Sequence, residues 1–177
     1  MKLLIASDIH GSAYFCRKLV EAYKKETAEK LILLGDILYH GPRNDLPEGY
    51  DPKEVIELLN PLADRIICIR GNCDTEVDQM VLDFPILSDQ ALIFADGVTM
   101  VAVHGHKELP KVQKGTVVLS GHTHVPEYAV YDNFVRLNPG SVSIPKENSP
   151  HSYMIFENGI FYWKNLDGET YRTEKIQ

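Results

Sequence analysis

Seven side chains able to bind a hard or borderline metal ion stand just after short apolar runs in this sequence: Asp8, His10, Asp36, Asn72, His104, His122 and His124. Residues 3 to 6 lead to Asp8 and His10, and residues 31 to 34 to Gly35-Asp36. Residues 66 to 69 lead to Gly71-Asn72, 98 to 103 to His104, and 117 to 119 to Gly121-His122-Thr123-His124. Asp8-Ile9-His10 and His122-Thr123-His124 each set two donors one residue apart. In extended backbone such side chains point to the same side, so each pair can grip one ion. Glycines 35, 71, 105 and 121 flank these donors, where a missing Cβ lets backbone turn sharply or approach an ion closely. A single Asp or His after a strand is more often a turn residue, a cap or a solvated group. That reading does not explain why four of the seven histidines share one register with two Asp and an Asn.

The elements that must position these residues are legible from pattern. Residues 2 to 6, 31 to 34 and 66 to 69 are continuous apolar runs of the kind buried on both faces of a sheet. Ser12 reads as the N-cap of a helix ending near Thr27, and residues 52 to 63 read as a second helix. The resulting βαβαβ alternation predicts a mainly parallel sheet with right-handed crossovers. In such a sheet, ligands gather beyond the carboxyl ends of the strands, where the seven donors fall. Beyond residue 90 the runs 92 to 95, 98 to 103, 117 to 120, 126 to 131, 134 to 137, 152 to 157 and 160 to 166 are strand-like with little room for helices. Asp132-Asn133 and Asn158-Gly159 serve as turns. The fold class is therefore α+β with an α/β-like first half. The breaker-rich stretch 40 to 51 should be an exposed loop.

Composition narrows the function. With 177 residues, the chain has the length of one domain, taken as residues 1–177, large enough to fold without staples. Its 18 basic and 25 acidic side chains give a net charge of −7, which leaves no basic footprint for stable nucleic-acid binding. No apolar run is long enough to span a membrane, and no signal-peptide pattern is visible. Cys16, Cys68 and Cys73 are few, odd in number and unspaced for zinc, which points to a reducing, cytoplasmic setting.

In order along the chain, Asp8-x-His10, Gly35-Asp36, Gly71-Asn72-x-Asp74, His104 and Gly121-His122-x-His124 resemble the five signatures of the calcineurin-like metallophosphoesterases. His40-Gly-Pro-Arg-Asn44, Arg70-Gly-Asn-Cys-Asp74 and Asn138-Pro-Gly-Ser-Val142 look like the small bacterial and archaeal phosphodiesterases among them. The resemblance implies a four-layer αββα sandwich of two mixed sheets with a dinuclear metal centre at the sheet ends. It assigns Asp8, His10, Asp36 and His124 to one ion and Asp36, Asn72, His104 and His122 to the other, with Asp36 bridging. Imidazole, carboxylate and amide oxygen without thiolate suit Mn, Fe, Co, Ni or Zn, and manganese is the expected ion. It further implies a small phosphodiester as substrate and a homo-oligomer, dimer or tetramer.

Two ions about 3.5 to 4 Å apart can hold a bridging hydroxide aimed in line at phosphorus. Two residues depart from the family pattern. Tyr39 stands where larger relatives carry an Asp. Cys73 stands where the family places a His that protonates the leaving group. A thiol near two cations should lose its proton more easily than usual and have nothing to donate. That predicts selectivity for good leaving groups and for diesters over alkyl monoesters; the alternative is a small residue packed behind Asn72. Arg43 is a candidate phosphate contact through its forked donors, against the commoner fate of a solvated or paired arginine. Asp74 should fix the Asn72 turn. His40 and His106 fit the surroundings of the site better than the donor set, and Cys16 and Cys68 fit the core. Phosphomonoesterase or nucleotidase activity, and a non-catalytic scaffold on the same fold, are the competing functions.

Overall fold

The computed structural model describes residues 1–176 and builds two mixed sheets stacked face to face. Strands β1 (Leu3–Ala6), β2 (Lys30–Leu33) and β3 (Ile66–Cys68) are parallel neighbours. Strands β9 (Ser152–Glu157), β10 (Ile160–Asn165) and β11 (Thr170–Lys175) extend that sheet antiparallel from the other edge of β1, giving the order β11-β10-β9-β1-β2-β3. The second sheet holds β4 (Gln90–Ala95), β5 (Val98–Val103), β6 (Thr116–Leu119), β7 (Pro126–Val130) and β8 (Phe134–Pro139) in the order β4-β5-β6-β8-β7. Its three central strands are parallel, with an antiparallel strand at each edge.

The unbroken apolar runs of β1 and β2 follow from burial on both faces. Leu3, Ile5 and Ile32 point between the sheets, where Met100, Val117, Leu119, Phe156 and Trp163 meet them. Leu4, Ala6, Leu31 and Leu33 point the other way, against helices α1 (Ala13–Glu26) and α2 (Pro52–Leu59). Period-two alternation thus divides each strand between two cores. Trp163 can be fully buried because its indole N–H donates to the Asn138 carbonyl at 2.7 Å.

Local sequence sets the ends of the helices. Ser12 caps α1 by accepting the Phe15 amide, and Thr27 closes it in left-handed backbone. Asp51 caps α2 through the Glu54 amide, and Pro52 suits the first turn. The expected continuation of this helix to Ala63 is corrected: α2 stops at Leu59 and residues Asn60–Arg65 wind as a 3-10 helix. Pro61 explains the change, since it removes an amide donor and its ring crowds the preceding turn.

The expected sandwich of two mixed sheets flanked by helices is the architecture observed. The connection 104–115 between β5 and β6 is irregular, with Pro110 beside Gln90 and Val103. Gly105, Pro110 and Gly115 leave too little uninterrupted chain for a stable helix. The short helix α3 (Glu76–Gln79), with its Thr75/Asp78 capping box, and the polar strand β11 were not expected from sequence. No described helix is long and apolar enough to cross a membrane.

Candidate metal centre

Six loops at the carboxyl ends of β1, β2, β3, β5 and β6 and after β8 deliver the site. Asp8, His10, Asp36, His104 and His124 are almost completely buried, while Asn72 and His122 reach the cleft above them. His124 Nε2 lies 3.3 Å and His10 Nε2 3.6 Å from Asp8 Oδ1. Asp36 Oδ2 stands between both sides of the cluster, 3.7 Å from His10 Nε2 and 3.4 Å from His104 Nε2. Asn72 Oδ1 is 3.0 Å from His104 Nε2, and the His122 ring packs 5.1 Å from that of His104, centroid to centroid. All seven sequence-predicted donors therefore meet in one place.

Their backbone is not the extended chain expected. Asp8, His10, Asp36, His122 and His124 all have positive φ, between 49° and 69°. Left-handed backbone disfavours residues with a Cβ, and five such residues in one cluster mark strain stored at a working site. Left-handed turns, and not strand pleating, bring Asp8 and His10 side by side. The second pair does not share a position: His124 joins Asp8 and His10, and His122 lies toward His104.

Three imidazoles are aimed by main-chain carbonyls. His10 Nδ1 meets the Tyr39 carbonyl at 2.8 Å, His104 Nδ1 that of Leu34 at 2.6 Å, and His124 Nδ1 that of Ile144 at 2.7 Å. A carbonyl only accepts, so each Nδ1 carries a proton and each ring turns Nε2 inward, as a lone pair once that nitrogen is free of a proton. Those lone pairs then face carboxylate oxygens and one another; His10 Nε2 and His124 Nε2 are 3.2 Å apart. Asp8 Oδ1 is buried there without a hydrogen-bond partner. Lone pairs converging on lone pairs around a buried anionic oxygen call for protons or metal ions among them, and this donor set of imidazole, carboxylate and amide oxygen fits a metal centre.

The electrostatics agree. Burial alone would raise Asp8, but the adjoining His10 and His124 rings hold it well below the usual carboxylate range. Burial likewise opposes the lowering of Asp36 that His104 imposes. His104 would be lowered by burial, yet its contact with Asp36 and the charge of Asp8 lift it to about 9. His122 moves the other way, lowered by burial and by the charge of His104. In the metal-free protein, burial and the Asp36 carboxylate push the Cys73 thiol up to about 12. Its sulfur is positioned by the Asn72 amide at 3.2 Å.

The supporting residues are only partly visible in sequence. Asp74 accepts the amides of Asp36 at 2.8 Å, Ile37 at 2.9 Å and Gly71 at 2.7 Å, clamping two donor loops together. A Cβ on Gly71 would collide with Asp36, and one on Gly121 with Ser7 and Asp8. Ser141 and Ser143 donate to the Asp8 carbonyl at 2.8 and 3.1 Å, and the Asn138 amide donates to the Gly121 carbonyl. Arg43 lines the cleft, as does Lys146, which no sequence signal had singled out. His40 and His106 stay outside the donor clusters.

Two stacked mixed sheets with this cluster at their ends define a metal-dependent phosphoesterase class. The family model for the calcineurin-like phosphoesterase superfamily domain matches residues 1–159, and the chain belongs to that family. In particular, the chain is 44% identical over 164 residues to "Phosphodiesterase YfcE" of Escherichia coli strain K12, covering 90% of this chain and 89% of that one. The solved structure of that E. coli phosphoesterase superposes over the whole of both chains with a TM-score of 0.95 at 41% identity. "Phosphodiesterase MJ0936" of Methanocaldococcus jannaschii is 26% identical over 151 residues, 79% of this chain and 83% of the other. The zinc complex of Vps29 from Entamoeba histolytica shares the fold at a TM-score of 0.65 and 19% identity, with all of both chains aligned.

Proposed function

We propose that the protein is a phosphodiesterase acting on small phosphodiesters with two divalent ions, manganese first among Mn, Fe, Co, Ni and Zn. The observation that carries this is the position of Asp36, whose Oδ2 faces His10 on one side and His104 on the other. Asp8, His10 and His124 would hold one ion and Asn72, His104 and His122 the other, with Asp36 available to both. Bound, the ions would supply an acidified water as nucleophile and positive charge for the phosphoryl oxygens.

The chain's own groups supply position and proton control. The carbonyls of Tyr39, Leu34 and Ile144 fix three rings, so their lone pairs need no reorganisation when the site is loaded. Asp74 keeps Asp36 and the Gly71-Asn72 turn in one frame. Arg43 offers forked donors to a phosphate in the cleft. Cys73, pushed up to about 12 by burial and Asp36 in the metal-free protein, is a poorer general acid than an imidazole, because proton donors work best with a pKa near the working pH. That leaves departure to esters with good leaving groups and supports a diesterase over a monoesterase. Similarity to a relative named a phosphodiesterase over nine-tenths of the chain supports the same choice, and a complete set of seven donors is more than a scaffold requires.

Within the same proposal, residues 1–177 form one domain, supported by the six-stranded sheet that serves both cores. Three free cysteines support a cytoplasmic place. A homo-oligomer would cover Leu92 and Phe94, 58% and 65% exposed on β4. The test is metal analysis of the purified protein, then hydrolysis of bis(4-nitrophenyl) phosphate and 4-nitrophenyl phosphate with Mn²⁺ restored. Two equivalents of metal, preference for the diester and loss of activity in Asp36→Asn are expected. A fully loaded protein that leaves every diester intact overturns the reading.

A further inference from the structure

The cleft above the donors has a volume of about 480 Å3, and its walls carry two cations, Arg43 and Lys146. Neither takes part in an ion pair among the described residues. Asp36 is the only carboxylate lining the cleft, and it belongs to the donor set. On a chain with a net charge of −7, two unpaired cations beside one cleft are a local reversal of sign.

Lys146 is held in place by its backbone. Its amide donates to the His124 carbonyl at 3.2 Å, and its own carbonyl accepts from the Ser149 amide at 3.0 Å and hydroxyl at 2.6 Å. Glu147 and Asn148, both at positive φ, make the turn between. Two residues earlier, Ile144 supplies the carbonyl that aims His124. The turn that sets a donor histidine thus also places the Lys146 backbone at the rim. Arg43 comes from a different loop, at the other end of the donor set. There Gly41 approaches so closely that a Cβ on it would lie 3.2 Å from the Cys73 sulfur.

A simple diester does not call for both. Two dications against two carboxylates and the deprotonated nucleophilic water would leave the centre at about +1, which already balances the single negative charge of a diester. The surplus cations match a substrate with more charge: a planar guanidinium and a compact ammonium are the usual partners of a phosphate. Apart from histidines, no aromatic side chain lines the cleft, so no face is offered on which a nucleobase could stack.

We propose that Lys146 binds a second phosphate, Arg43 facing the phosphate that is cleaved, making the preferred substrates small aliphatic phosphodiesters that carry a further phosphate on the alcohol retained. The proposal rests on the phosphodiesterase reading and adds to it the charge of the group that is not cleaved. Three 4-nitrophenyl diesters with a common leaving group test it, their other alcohol being methanol, 3-hydroxypropanoate or ethylene glycol monophosphate. With the Mn-loaded protein at low salt, kcat/KM for the phosphate-bearing ester should exceed that for the methyl ester by about tenfold, with the carboxylate between. Lys146→Met should collapse this ratio through KM and not kcat, and Lys146→Arg should restore most of it.

Binding gives an independent reading. Calorimetric titration of the loaded protein with propane-1,3-diphosphonate and with propylphosphonate should show about tenfold tighter binding of the former, lost in Lys146→Met. Hydrolysis of all three esters at equal efficiency, with equal binding of the two phosphonates, overturns the second-phosphate site and leaves the phosphodiesterase reading standing. Intact esters with the diphosphonate preference retained do the reverse.

Discussion

His104 sits between two acids, and its proton competes directly with a metal ion. Its folded pKa of about 9 lies above the usual 6.5, so in metal-free protein its contribution to stability is fully present below pH 6.5. It is lost as the pH rises through 9. The thermal midpoint in chelator should fall across that window, and scanning calorimetry at half-unit steps checks it. Loading should release protons, and metal affinity should rise by about tenfold per pH unit for each proton displaced, flattening above pH 9. Competitive dye titration at pH 7 and 8 measures this; an affinity independent of pH would contradict it.

At the same scale, Cys73 and its neighbours show what sequence could reveal. The residue types and order named all seven donors, because metal chemistry depends on side-chain identity. The state of Cys73 was not readable: nearby cations suggested a lowered pKa, whereas burial and Asp36 raise it. Either way it is a poorer proton donor at neutral pH than an imidazole, so Cys73→His should accelerate hydrolysis of an alkyl monoester by about a hundredfold and of an aryl diester much less. Equal effects on both, measured as kcat/KM, would leave Cys73 as packing only.

The elements hold the site by close approach between loops. Gly35, at φ 97°, would set a Cβ 2.5 Å from the Gly71 amide, so the ends of β2 and β3 fit only as glycine on glycine. Gly71→Ala should leave the sheets folded, by circular dichroism, and lower the metal stoichiometry, because the new methyl displaces the Asp36 carboxylate. Asp74→Ala removes the acceptor for three buried amides and should cost about 3 kcal/mol in denaturant unfolding. Strands and helix caps were legible because burial on both faces and capping each leave a local pattern, as in residues 3 to 6 and at Ser12. The end of α2 at Leu59 was missed because the apolar period runs past Pro61, the residue that stops it. Strand β11 carries no such pattern, since Thr170, Tyr171, Arg172, Thr173, Glu174 and Lys175 alternate toward solvent and owe their order to pairing with β10. The Lys146 turn was equally silent, being fixed by backbone bonds to residues distant in sequence.

Across the whole molecule, the donor cluster is a seam between the two sheets, because Asp8 and Asp36 come from one and His104, His122 and His124 from the other. Ions bound there join the sheets and stabilise the native state alone. At a metal concentration a hundredfold above the dissociation constant, linkage gives about 2.7 kcal/mol. For a chain of this length that should raise the melting temperature by roughly 5 to 10 °C relative to chelator. Differential scanning fluorimetry with Mn²⁺ checks it, and an unchanged midpoint would place the ions elsewhere.

The left-handed backbone of the donors sets a ratchet on their replacement. His122, at φ 69° and without a hydrogen bond to its ring among those described, occupies a conformation that glycine adopts freely. In chelator, His122→Gly should melt no lower than its parent while losing turnover. A lineage released from selection for catalysis would lose nothing in stability by shedding His122, which makes its retention a signature of continued use.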